Sequence, residues 1–165
     1  MANLLITIMA VALAAFVLTM GAWYLDSRVG PTNEIKLKAM AGMVSLASGY
    51  RSFNMSDTQV LPESGWETKI GAYATVPQPP VKGLEWRYNC GVDWDNDTEA
   101  CSARAGFCLR STGDGTEVQF LGMKRARTQM STSQVDIGSD CGKNEYNSAD
   151  PASSSPVAMT YWLTN

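Results

Sequence analysis

Met1–Leu25, MANLLITIMAVALAAFVLTMGAWYL, carries no charged side chain, and the first charge in the chain is Asp26. As one helix this stretch would be about 37 Å long, and about 20 apolar residues suffice to cross a bilayer. A helix that is apolar all round must be buried, in lipid or in protein. A secretory signal peptide needs a basic start and a shorter apolar core, and this stretch has neither. A plain membrane anchor fits the length, but anchors carry flanking charges that set their orientation. On the N-terminal side only the α-amino group is available. A third placement is a helix that leaves the membrane and is buried again among identical helices. Its alanines and Gly21 would allow the close approach that such packing needs.

Working outward, DSRVGPTNE follows at residues 26–34. Gly30-Pro31 is expected to break the helix, since proline lacks a backbone donor and glycine weakens the turn before it. Thr32 or Asn33 would cap a new helix, with Glu34 in its first turn. In EIKLKAMAGMVSLASGYRSF, Met40, Met43, Val44, Ala47 and Tyr50 recur at helical spacing and predict one apolar face. A stripe of this kind is ordinarily core packing. The division is therefore a hydrophobic stalk over residues 1–31 and a globular head over 32–165, with its helix over 32–53.

Beyond residue 53 the pattern changes. VPQPPVKG (76–83) is a proline-rich connector, neither helix nor central strand. LEWRYNC, GFCLRST, TEVQFLGMKRA and VAMTYWLT read as strands from their β-branched and aromatic content. STGDGTE, between two of them, signals a hairpin with Gly113 or Gly115 supplying a positive φ. The basic cluster in GMKRART (Lys124, Arg125, Arg127) reads as a solvated loop or edge strand. The fold class is α+β: a long N-terminal helix, half hydrophobic stalk and half amphipathic, packed on an antiparallel sheet.

Residues 26–53 hold four basic side chains against two acidic ones, a net of +2. Residues 54–165 hold nine against fourteen, a net of −5. An acidic head argues against general nucleic-acid binding. The four cysteines, Cys90, Cys101, Cys108 and Cys141, all lie in the C-terminal half, and the chain has no histidine. Their spacing matches no zinc pattern. An even count in an exported domain reads as two disulfides. Of the three possible connectivities, Cys90–Cys101 with Cys108–Cys141 is favoured. The compartment implied is oxidising: periplasm, cell surface or outside.

Without histidine there is no Ser-His-Asp or Cys-His arrangement, no phosphate-cradling glycine motif is present, and no cofactor is called for. Asp93, Asp95 and Asp97 in DWDNDTE could offer oxygen ligands to Ca²⁺. Thr98 and Arg104 stand where an EF-hand loop needs Gly and Glu, so a solvated acidic loop is the preferred reading. Trp86, Trp94 and Trp162 could serve adhesion, but core or inter-subunit packing is preferred.

This layout resembles a mature type IV pilin, on the apolar N-terminus from residue 1, the Gly30-Pro31 interruption, the amphipathic continuation to YRSF and the cysteines confined to the C-terminal half. Met1 as first residue and the long head are closer to the IVb branch, which includes thin pili of conjugative plasmids. The resemblance implies a pilin-like fold and a leader already removed. It also implies polymerisation through the stalk, here Met1, Leu4, Leu5, Ile8, Val11, Leu13, Phe16 and Gly21. The partners implied are identical subunits in a helical filament, the inner membrane before assembly, a receptor on a host or recipient cell, and a lipid bound in the filament. The family usually has Glu at its fifth mature residue, and this chain has Leu5. Two other functions share the layout: a minor pilin or pseudopilin of an assembly or secretion system, and a membrane-anchored extracytoplasmic binding domain.

Overall fold

The computed structural model describes residues 9, 11–13, 15, 28–56, 61–89, 105–152 and 155–163. The chain divides into two compact units, Met1–Pro31 and Thr32–Asn165. In the first, residues 9, 11–13 and 15 are helical.

Helix α1 runs Val29–Ser56. It begins three residues before the expected cap, so Gly30 and Pro31 lie in its first turn. There a missing N–H removes no intrahelical bond. Thr32 is buried inside the helix, which corrects its reading as a cap. The buried face consists of Thr32, Ile35, Ala39, Met43, Leu46, Ala47 and Phe53, with Gly42 and Gly49 beside them. Val44, placed on that face by its spacing, points outward and is 62% exposed. Met40 and Tyr50 flank the core half-buried. The spacing was helical, but its phase was set by Ile35 and Leu46 rather than by Met40 and Val44.

A short helix, α2 (Trp66–Gly71), follows, and the proline-rich connector leads into the sheet. Strands β1 (Leu84–Asn89), β2 (Ala105–Ser111), β3 (Val135–Gly138) and β4 (Ala158–Leu163) pair in the order β1-β2-β4-β3. Every pairing is antiparallel, with Trp86 opposite Leu109, Phe107 opposite Tyr161 and Ile137 opposite Met159. The fold is α+β, with a long helix on a four-stranded antiparallel sheet, as expected.

Two elements differ from the sequence reading. TEVQFLGMKRA is not a strand but part of helix α3 (Glu117–Gln129), closed at its N-terminus by a capping box. Gln119 N–H donates to Thr116 Oγ1 at 3.2 Å, and Thr116 N–H donates to Gln119 Oε1 at 2.9 Å. These reciprocal bonds satisfy backbone donors that the first turn leaves orphaned. Lys124, Arg125 and Arg127 therefore lie on a helix, while Phe120, Met123 and Ala126 turn inward. The hairpin signalled by STGDGTE is instead the entry to this helix. The positive-φ glycines among the described residues are Gly65, Gly83 and Gly142, not Gly113 or Gly115. Gly115 serves close approach: a Cβ there would stand 2.5 Å from Val157 Cγ2.

The main core lies between the helices and one face of the sheet. Leu84, Trp86, Tyr88, Phe107, Leu109, Ile137 and Met159 meet Ile35, Met43, Leu46 and Phe53 from α1 and Phe120 and Met123 from α3. Phe107 sits at its centre, with ring centroids 5.2 Å from Tyr88, 5.4 Å from Trp66 and 6.4 Å from Tyr50. On the opposite face Cys108, Cys141 and Ala158 form a small second cluster.

Candidate functional site

Exposed apolar side chains stand on helices of both units. In the first unit Met9, Val11 and Leu13 are helical and exposed. Of the residues expected to drive polymerisation, Val11 and Leu13 are these. Met1, Leu4, Leu5, Ile8, Phe16 and Gly21 lie outside the described residues.

In the second unit the outward face of α1 carries an apolar stripe too. Leu37, Val44 and Met55 are 61%, 62% and 87% exposed, with the small residues Ala41 and Ser48 exposed between them. Steps of four and three residues along one helix face are the spacing of a helix-packing seam. Arg51 falls on the same seam, and Lys38 pairs with Glu34 at 2.6 Å beside it.

The face of the sheet away from α1 is polar and cross-tied. The Cys108–Cys141 disulfide joins β2 to the loop after β3, as the sequence reading favoured. Gly142 N–H donates to the buried Thr160 hydroxyl at 2.7 Å. Arg110 donates to Glu85 at 2.7 Å and lies 3.4 Å from Asp140. The Glu85 hydrogen bond is the largest influence holding the guanidinium pKa above its ordinary value; burial opposes it, and the charges of Glu85 and Asp140 reinforce it. Trp162 Nε1 and Asn147 Nδ2 both donate to Asp136 at 2.8 Å. On the core face, burial pushes the Tyr88 phenol far above its usual range, so it stays neutral.

The outer edge of β3 is closed by side chains of a 3₁₀ turn, Glu145–Asn147. Ile137 N–H donates to Asn147 Oδ1 at 2.8 Å, and Ser139 N–H donates to Glu145 Oε1 at 3.1 Å. Burial alone would raise the Glu145 carboxyl. Hydrogen bonds from the Ser139 hydroxyl and from backbone amides, with the Lys143 charge, outweigh it and hold the carboxyl below its ordinary value. Nothing in the sequence of this polar segment pointed to an edge cap.

The other expectations divide simply. Trp86 is buried in the core and Trp162 is half-buried, as the packing reading preferred. Cys90, Cys101, Trp94, Asp93, Asp95 and Asp97 lie outside the described residues. Among the described residues no three His, Cys, Asp or Glu side chains cluster to hold a metal ion. Among them, too, no helix is long and apolar enough to cross a membrane.

No protein-family model, curated protein or solved structure matches the chain.

Proposed function

We propose that the chain is the structural subunit of an extracellular type IV pilus, polymerising through its N-terminal hydrophobic helix and serving adhesion, aggregation or mating contact. One observation carries the reading: an uncharged 25-residue N-terminal stretch precedes, in the same chain, a long helix whose inner face is the backbone of an α+β head. In lipid and in a bundle of identical helices the apolar surface of the stalk stays dry. The transfer between them is then nearly balanced in hydrophobic energy. A head-to-tail contact that does not close gives an open filament. The exposed seam of Leu37, Val44 and Met55 on α1 offers a second, separate apolar helical surface for such contacts.

The test is truncation. The chain and a version lacking residues 1–25 are exported to the same oxidising compartment, together with a pilus-assembly system. The full chain should appear in sheared surface filaments, and the truncated form should remain a folded monomer by size-exclusion chromatography. Filaments built by the truncated form would overturn the reading.

A further inference from the structure

Two basic features lie far apart in the chain: Lys36 and Lys38 near the start of α1, and Lys124 and Arg125 in GMKRART. The fold brings them together within the second unit. Gly122 of α3 packs against α1 so closely that an added Cβ would stand 2.7 Å from Ile35. Three residues further along α3, Arg125 Nη1 lies 3.5 Å from Asn33 Oδ1. Lys36 stands one helical turn after Asn33. Lys38 Nζ reaches the Pro80 carbonyl at 3.4 Å, and Lys82 follows two residues later, exposed. Four of the six lysines of the chain therefore gather with Arg125 at this end. The other two, Lys69 and Lys143, are exposed on α2 and on the loop after β3.

Three carboxylates share these elements. Glu34 pairs with Lys38, Asp150 pairs with Lys124, and Glu117 opens α3 two turns before Arg125. Against five cations the cluster stays net positive. The head beyond residue 53 is net −5 even with Lys82, Lys124 and Arg125 included. A negatively charged surface therefore attracts this end of the head and repels the rest. The place of the cluster in the chain selects the surface. Lys36 comes eleven residues after Leu25, the end of the uncharged stretch. Basic side chains beside a membrane-spanning segment meet the headgroups of anionic lipids.

We propose that this cluster docks the head on the headgroups of anionic phospholipids while the subunit waits in the membrane. Lys36, Lys82 and Arg125 meet lipid phosphates, the guanidinium through two parallel N–H donors. Lys38 and Lys124 add their charge to the same field. The proposal rests on the stalk lying in a bilayer before assembly. It adds the class of lipid and the face of the head that meets it.

The test places the full chain in nanodiscs of phosphatidylcholine alone, or of phosphatidylcholine with an equal amount of phosphatidylglycerol. Reductive methylation with formaldehyde, a neutral reagent, is followed at each lysine by mass spectrometry. Lys36 and Lys82 should react about threefold or more slowly in the anionic discs, while Lys69 and Lys143 keep their rates. High salt should remove the difference, since the Debye length falls to about 3 Å at 1 M. Arg125→Gln, at an exposed position, should shrink the protection of Lys36 with an unchanged circular dichroism spectrum. Equal Lys36 rates in both discs, or equal slowing of Lys69 and Lys143, would overturn the proposal. So would protection in neutral discs that rises with protein concentration, which would assign the cluster to a second copy. Flotation with phosphatidylcholine vesicles tests the placement of the stalk separately. A chain that does not float overturns that placement and the proposal with it; a chain that floats but shows equal rates overturns the proposal alone.

Discussion

Gly42 lies directly under Trp86: a Cβ on the glycine would stand 2.4 Å from Trp86 Cζ2 and 2.9 Å from Cη2. The glycine lets α1 settle against β1, and the indole fills the space above it. In an open helix Gly→Ala gains about 1 kcal/mol of helical propensity. Here overpacking of about 1–3 kcal/mol acts against it, and the buried ring has little freedom to move. Gly42→Ala is therefore expected to destabilise the protein by about 1–2 kcal/mol. Gly71→Ala, where a Cβ meets nothing within 4 Å, should stay within about 0.5 kcal/mol of the parent. Urea unfolding in detergent, followed by tryptophan fluorescence, checks the pair.

The Cys108–Cys141 bridge closes a loop with a sequence separation of 33. Chain-entropy reasoning gives about 3–4 kcal/mol for a loop of that size. Cys108→Ala with Cys141→Ala should lower stability by about that amount, by the same unfolding measurement. A change under about 1 kcal/mol would mean that the hydrogen bonds of Arg110 and Gly142 hold the loop without the bridge.

Glu145 gives a pH dependence with a definite sign. Its carboxyl titrates below its ordinary value in the folded chain. The stabilisation it contributes is present above the ordinary carboxylate range and is lost as the pH falls through the folded value. The protection factor of the Ser139 amide should therefore drop on acidification in that window. Glu145→Gln should flatten the drop. A Ser139 protection factor that follows pH equally in both forms would assign the edge cap to Asn147 alone.

The sequence was most legible where one residue type had one physical reading. The prolines of VPQPPVKG exclude helix, and β1, β2 and β4 carry the aromatic and β-branched residues of a half-buried surface. The strand-like content of Val118 and Phe120 misled, because the deciding signal was local chemistry at Thr116 and Gln119: a capping box outweighs a weak β preference. Strand β3 is four residues long, too short for alternation to stand out. The phase of α1 was misread because Val44 is as apolar as its neighbours. Only the positions of Ile35, Leu46 and Phe53 against the sheet decide which stripe is buried. For the candidate site, the apolar stalk was legible from the absence of charge alone. The exposed seam of Leu37, Val44 and Met55 was not, since which stripe of α1 stays uncovered is a tertiary fact that residue type does not encode.

Position 5 tests the electrostatics of assembly. In the filament proposed above, Leu5 supplies no carboxylate to pair with the amine of Met1, and a bare ammonium buried among apolar helices would be costly. Leu5→Glu is expected to preserve or raise filament yield. Leu5→Lys, which adds a second unpaired charge, should abolish it. Sheared-filament yield by quantitative immunoblot measures both. Equal yield from Leu5→Lys and the parent would place the amine in water and remove this argument.

The central claim is that the N-terminal helix builds a filament, and cryo-electron microscopy of filaments sheared from cells that express the chain with an assembly system tests it most directly. The account predicts a helical reconstruction in which residues 1–25 of successive subunits form an apolar central bundle and the α+β heads lie outside it. A reconstruction with the N-terminal helices outside the core, or a sheared fraction that holds filaments without this chain, would contradict it.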